Sequence, residues 1–202
     1  ITYKQARLQF HAMAKKKRKG QYSLREGFKD ERVPKMVGIL CLFLAVYLFI
    51  AFTSYLFTWQ TDQDRVLRFS WKLLVQTEME MANWLGRLGA IISNMFFYWG
   101  FGLPSYIFIF LLVLVGRELI RRAPLKQHIG IFRISVLFLV FFSVFFEFVF
   151  RNAAFPLGGT FGESLSSWLE SFVGPLGMVV LFLAILGSIV VWQFNPNVND
   201  LT

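Results

Sequence analysis

The sequence has little of what catalytic and metal-binding sites are made of. It contains one cysteine, Cys41, and two histidines, His11 and His128, among 202 residues. A single cysteine excludes an internal disulfide and a cysteine-clustered metal site, and neither histidine has a carboxylate or cysteine at ligand spacing. The run Gly158-Gly159-x-x-Gly162 lacks the following lysine and hydroxyl residue of a phosphate-binding loop. We therefore expect no enzymatic activity, no metal site and no cofactor in this chain.

Charged residues are also scarce, at 16% of the chain, whereas hydrophobic residues make up 56% and phenylalanine alone fills 25 positions. The mean hydropathy is +0.55. Soluble domains hold about 25% charged residues, and a fold of this size could not cover so much apolar surface. The composition excludes an ordinary soluble enzyme and indicates that lipid surrounds much of the chain.

Long apolar blocks predict four transmembrane helices, at about residues 36–57, 96–116, 131–150 and 175–194. Each is long enough to cross a hydrocarbon core of about 30 Å at a rise of about 1.5 Å per residue. Gly102 and Pro104 are expected to kink the second helix near its start. Glu147, near the end of the third block, is expected to pair with Arg151 one turn later. The predicted fold is an all-α membrane domain over residues 36–194, built as two helical hairpins.

The connections between the blocks set the orientation of these helices. Residues 1–35 and the 117–133 connection together carry 16 of the 21 basic residues. The positive-inside rule therefore places both segments, and the C-terminus, in the cytoplasm. The basic run at residues 15–19 is expected to be attracted to anionic lipid of the inner leaflet. Topology determination alone and direct DNA binding are the alternatives. The residues expected to contact the inner leaflet are Lys15, Lys16, Lys17, Arg18, Lys19, Arg117, Arg121 and Arg122.

The two ends of the chain carry separate expectations. Residues 1–12 precede Met13-Ala14-Lys15, which is typical of a natural bacterial start, so they are expected to come from an upstream or foreign segment. Residues 1–35 as a whole form a basic cytoplasmic segment. Residues 195–202 are rich in turn formers and are expected to begin a cytoplasmic linker.

Both periplasmic connections are predicted to contain an amphipathic helix at the membrane surface. Between Val66 and Leu88, apolar residues recur at three- and four-residue steps with charged residues between them. In the second connection, a turn at Gly158-Gly159 precedes the helix, and Gly174-Pro175 is expected to break it before the fourth span. The apolar face of this second helix consists of Leu165, Trp168, Leu169 and Phe172.

Three stretches of the chain resemble the N-terminal four-span membrane domain of the FtsK/SpoIIIE DNA translocases, in the form seen in Bacteroidetes-type bacteria. The resemblance covers residues 36–194. It implies the membrane-anchoring and assembly domain of a septal translocase that couples chromosome segregation to cell division. The stretches are Thr53-Ser54-Tyr55 followed by Asp62 and Asp64, Asn83–Ala90 continuing to Phe97, Gly102 and Pro104, and Gly158–Gly162 with Leu169, Gly174 and Gly177.

The resemblance also implies a location and a set of partners. The domain would lie in the bacterial inner membrane at the division septum, in contact with lipids, further copies of itself and membrane proteins of the division machinery. The hexameric motor, which uses ATP and Mg²⁺ and binds DNA, would lie outside this sequence. A stand-alone small membrane protein, acting as a transporter or as an accessory subunit of a complex, is the alternative.

Structural roles in tight turns and close helix approach are implied for a set of small or turn-forming residues. Self-association is expected to use glycine-bearing and phenylalanine-rich faces, so Gly89→Leu or Gly177→Leu should weaken it. The candidate packing and turn residues are Gly86, Gly89, Gly102, Pro104, Gly158, Gly159, Gly162, Gly174 and Gly177.

Overall fold

The computed structural model describes residues 32–66 and 80–194. These residues form five α-helices and three short helical segments of other types, and no strand. In chain order they are α1 (Arg32–Val66), α2 (Gly86–Phe96), a π-helical turn (Phe97–Phe101), a 3-10 turn (Leu103–Ser105), α3 (Tyr106–Arg121), a second 3-10 turn (Leu125–His128), α4 (Ile129–Val149) and α5 (Gly159–Phe194).

Four helical stretches of the described chain are long and apolar enough to cross a membrane: Arg32–Asp62, Leu103–Arg121, Leu125–Val149 and Gly159–Ile189. The predicted all-α fold with four spans is therefore confirmed. The second span starts and ends later than the predicted range of 96–116. It starts later because Gly102, at φ 68° and ψ −142°, interrupts the helix and Pro104 opens a new one. It ends where Arg122 takes the left-handed conformation at φ 59°.

The first connection differs from the single amphipathic helix predicted between Val66 and Leu88. Residues 67–79 lie outside the described residues, and residues 80–85 are not helical. Both carboxylate oxygens of Asp62, near the end of α1, accept hydrogen bonds from this stretch, at 2.7 Å from the Ala82 amide nitrogen and 3.0 Å from that of Asn83. Because these amides are bonded to a side chain, helix formation resumes only at Gly86.

The first pair of helices, α1 and α3, pack along one another, and α2 packs against α1. At one end, Gly38 and Gly116 allow the two backbones to touch. Farther along, Phe52 is fully buried and its ring meets those of Phe97 and Tyr106 edge to face, with centroids 5.0 and 5.7 Å away. Such aromatic pairs contribute about 0.5–1.5 kcal/mol beyond the area they bury.

The second pair, α4 and α5, pack through a phenylalanine-rich cluster. Phe182 of α5 meets Phe141 and Phe145 of α4 edge to face. Leu165 and Leu169 also join this cluster, whereas Trp168 and Phe172 point outward, so the apolar face predicted for this helix is divided. Gly174, at φ 74° and ψ 168°, interrupts α5 where the sequence places a break.

Candidate functional site: the glycine junction between the helix pairs

The two helix pairs meet backbone to backbone at a junction formed by residues 97–105 and 157–162. The Leu103 amide donates a hydrogen bond of 2.8 Å to the Leu157 carbonyl. Gly102 and Gly159 both have positive φ, at 68° and 65°. A Cβ at Gly102 would overlap the Leu157 carbonyl, and one at Gly159 would lie 2.6 Å from the Phe97 carbonyl oxygen. Only glycine therefore combines the required conformation with the required space.

Ser143 of α4 closes the same junction from the other side. Its hydroxyl donates a buried hydrogen bond of 2.6 Å to the Gly158 carbonyl. Its own carbonyl lies so close to Gly158 and Gly162 that a Cβ at either position would overlap it. The predicted glycine turn at 158–159 therefore packs against the last two turns of α4. We call residues 97–105 and 157–162, together with Ser143, the glycine junction.

Side chains around the glycine junction connect the two helix pairs through a hydrogen bond and several aromatic contacts. The Thr160 hydroxyl donates to the Tyr98 carbonyl at 2.8 Å, and the rings of Phe101 and Phe161 lie 4.7 Å apart. Phe155, in the α4–α5 connection, lies against rings of the first helix pair. Its centroid distances are 5.4 Å to Trp59, 5.8 Å to Phe97 and 6.2 Å to Tyr55. The connection is therefore seated on the first helix pair.

A second buried element, the polar clasp, fixes residues 80–85 on α1. In addition to the two bonds to Asp62, the Asn83 side-chain nitrogen donates to the Ala51 carbonyl at 3.0 Å and the Trp84 amide donates to the Ser54 hydroxyl at 2.9 Å. Tyr55 continues the clasp with a buried hydrogen bond of 2.8 Å to the Asn94 side-chain oxygen. Each polar group pairs with another, as buried polar groups must.

The remaining candidate glycines occupy different environments. Gly89 faces the polar clasp, where a Cβ would overlap the Asn83 side-chain oxygen. This face of α2 is therefore already packed inside the domain. At Gly86, with φ 62°, and at Gly174, an added Cβ would meet no atom within 4 Å, so the need for glycine there is conformational alone. Gly177 meets only Val173 of its own helix.

The basic residues at the opposite end of the helices surround a buried acid. Arg117 pairs with Glu118 at 2.6 Å, and Glu118 is 4% exposed although it lies near the end of α3. The His128 side-chain nitrogen Nε2 lies 3.9 Å from the same carboxylate. Arg121 and Arg122 are exposed beside them. We call this end of the helices, with Lys126 and Arg133, the basic end. The predicted contact residues at 15–19 lie outside the described residues.

The expected pairing of Glu147 with Arg151 is replaced by another. Arg151 instead forms a two-point ion pair with Glu170 of α5. The bonded Glu170 carboxylate raises the pKa of Arg151 above its ordinary value. The reason for the difference is local, since α4 ends at Val149 and Arg151 lies in a turn, outside the helical geometry that an i,i+4 pair requires.

The comparisons with known proteins identify this architecture. The family model for the four-transmembrane region of the DNA translocases FtsK and SpoIIIE matches residues 30–197. The chain belongs to this family. Neither the comparison with curated proteins nor that with solved structures gives a match. The match covers all four spans, the glycine junction and the polar clasp, and the region it describes is a membrane region of the translocase and not its catalytic motor.

The sequence does not predict several residues that hold the domain together. Gly38 and Gly116, at the crossing of α1 and α3, are not among the predicted packing residues, and Asp62 is named only in the stretch that follows Thr53-Ser54-Tyr55. The available signal was that Gly38 and Gly116 each stand alone inside an otherwise bulky apolar block, which is typical of close helix approach. Within residues 32–66 and 80–194, no three His, Cys, Asp or Glu side chains are grouped to hold a metal ion.

Proposed function

We propose that this chain is the membrane-anchoring and assembly domain of a septal DNA translocase, and that it couples chromosome segregation to cell division. The observation that carries the proposal is the family match over residues 30–197. The four apolar spans supply the anchor. DNA, ATP and Mg²⁺ would be bound by a motor that this domain tethers, and the domain itself would act through lipid, further copies of itself and membrane proteins of the division machinery.

The native gene tests the link to a motor. We expect the open reading frame to continue past the codon for Thr202 through a polar linker into a P-loop ATPase. A stop codon shortly after that position would contradict the translocase assignment and favour a stand-alone membrane protein.

Fluorescence microscopy tests the septal role. A fluorescent fusion of the chain, produced in dividing cells of its host, should concentrate at the septum. A fusion that carries Gly187→Val should localise like the parent, because no atom lies within 4 Å of a Cβ at that position. Uniform fluorescence along the membrane for the parent would contradict the septal role without affecting the anchoring role.

We also propose that the basic end faces the cytoplasm, with both termini, in the bacterial inner membrane. The excess of arginine and lysine at this end supports that orientation. In a Cys41→Ser background, a membrane-impermeant maleimide added to cells with a permeabilised outer membrane should label Ser164→Cys and leave Lys126→Cys unlabelled. Both positions are exposed. The reverse labelling would overturn the orientation. Neutralising Arg117, Arg121 and Arg122 together should make the labelling of the two cysteines mixed.

Self-association is proposed to use the outward face of α5 around Gly177. Because Gly177 contacts only its own helix, Gly177→Leu should reduce crosslinked oligomers in membranes while leaving insertion unchanged. Gly187→Leu lies on the same helix and is the control. Equal oligomer yields in both variants would contradict the role of Gly177. Gly89→Leu no longer serves as a test, because its side chain would enter the polar clasp.

A further inference from the structure

An open hollow lies where α4 ends and the first part of α5 turns at Gly174. Its volume is about 510 Å³, and it is lined by Arg151, Ser167, Glu170, Ser171 and Pro175. Arg151 lies just beyond the span that ends at Val149, and the break at Gly174 precedes Pro175. The hollow therefore lies near the end of α4 opposite the basic end, where lipid head groups are expected.

The charges in the hollow form an accessible ion pair. Arg151 Nη1 lies 3.4 Å from Glu170 Oε1, and the second contact joins Nη2 to Oε2. The Arg151 side chain is 50% exposed and that of Glu170 is 21% exposed. An exposed ion pair of this kind contributes little to stability, so exchanging it for new partners costs little. The other guanidinium N–H groups meet no acceptor among the described residues.

Hydroxyls and aromatic rings border the same pair. Ser167, Glu170 and Ser171 share one helix face because they are three and four residues apart. Ser171 donates to the Trp168 carbonyl at 2.7 Å, which leaves its oxygen free to accept a hydrogen bond. In the adjacent row, Trp168 and Phe172 are stacked at 6.1 Å and are 60% and 80% exposed. Exposed aromatic rings are typical of the membrane–water interface.

We propose that this hollow binds the head group of a zwitterionic phospholipid that carries a primary ammonium. The lipid phosphate would accept hydrogen bonds from the Arg151 guanidinium and the Ser167 hydroxyl, and the ammonium would donate to the Glu170 carboxylate and the Ser171 oxygen. Such a head group presents one negative and one positive group a short distance apart, which is the complement of the ion pair. Guanidinium binds phosphate through two parallel hydrogen bonds.

The charge pattern also distinguishes this ligand from its competitors. An anionic lipid without an ammonium would meet the Glu170 carboxylate with like charge. A choline head group carries a positive charge but no N–H to donate to Glu170. The acyl chains would lie along the exposed apolar side of α5, where Leu176 and Val180 point outward. The proposal rests on the membrane assignment of these helices and not on a septal role.

Native mass spectrometry of the purified chain in detergent tests the proposal. Phosphatidylethanolamine, phosphatidylglycerol and phosphatidylcholine with identical acyl chains are added separately, and bound lipid is counted. Phosphatidylethanolamine should be retained best. Arg151→Gln should reduce its retention about tenfold, and Glu170→Gln should do the same while leaving phosphatidylglycerol retention unchanged or higher. Arg151→Lys, which keeps the charge but loses the planar fork, should show an intermediate loss.

Two exposed residues supply the controls. Glu163→Gln removes a carboxylate from the same helix, and Arg133→Gln removes an arginine from the other end of α4. Neither should change phosphatidylethanolamine retention. Equal retention of the three lipids, an unchanged Glu170→Gln variant, or the same loss in the controls would overturn the proposal. If Arg151→Gln fails to fold, as judged by its melting curve, the Arg151→Lys and Glu170→Gln variants decide the result.

Discussion

Gly38 and Gly116 face one another where α1 crosses α3, and each would place a Cβ against the other's carbonyl oxygen, at 2.7 Å and 2.9 Å. Real Cβ atoms do not approach an oxygen so closely, so the crossing distance depends on both residues having no side chain. Inside lipid, where the hydrophobic effect does not drive helices together, close packing of this kind is a main source of association energy.

We expect Gly116→Val to separate α1 from α3 and to destabilise the domain by about 1–3 kcal/mol, the cost of overpacking a close contact. The measurement is the thermal melting temperature in detergent. Gly187→Val makes the same change on α5 in open space and should leave the melting temperature nearly unchanged. Equal melting temperatures for the two variants would show that the crossing is not tightly packed.

At the glycine junction, the cost of losing packing space can be measured separately from the cost of the left-handed backbone conformation. Gly159 and Gly86 have nearly the same φ, 65° and 62°, but a Cβ at Gly159 would overlap the Gly100 carbonyl, whereas Gly86 has open space. Gly86→Ala should therefore cost only the left-handed conformation, about 1–2 kcal/mol. Gly159→Ala should cost more and should also expose the 157–162 connection to protease. Equal melting temperatures for the two alanine variants would contradict the close approach at Gly159.

The Ser143 hydroxyl is expected to contribute to the stability of the same junction. Ser143→Ala removes one buried hydrogen bond to the Gly158 carbonyl, which keeps a bond of 3.2 Å from the Gly162 amide. The expected loss is therefore that of one net hydrogen bond, about 0.5–1.5 kcal/mol. Ser188→Ala is the control, since that hydroxyl is exposed and bonds only within its own helix. Melting of both variants in the same detergent checks the prediction, which fails if Ser188→Ala is the more destabilised.

The polar clasp gives a prediction about local opening. Asp62→Asn replaces one carboxylate oxygen by a donor, so the Ala82 and Asn83 amides can no longer both be bonded. Hydrogen exchange of a peptide covering these amides should accelerate about tenfold or more, as a loss of about 1.4 kcal/mol or more implies. Glu163→Gln, at an exposed position, should leave that exchange unchanged. Unaltered exchange in Asp62→Asn would show that the carboxylate does not hold this stretch.

Much of the fold could be predicted from hydropathy because each span is a local property of about twenty consecutive residues. The break at Gly174-Pro175 was likewise predictable from two adjacent residues. The contacts of the glycine junction were not, because Gly102 and Gly159 are far apart in the chain and meet only after the spans have assembled. For the same reason Asp62 gave no sign that its partners were two backbone amides across the first connection. Every residue except proline carries a backbone amide, so the sequence does not mark which amides a side chain will bind.

The mutual dependence of Gly102 and Gly159 has a consequence for the divergence of this family. Since each backbone occupies the space that the other's side chain would need, neither position can drift independently, whereas Gly130 and Gly187 have open space and are free to vary. Distant relatives whose membrane-spanning sequences have diverged strongly should still retain glycine at the positions of both Gly102 and Gly159.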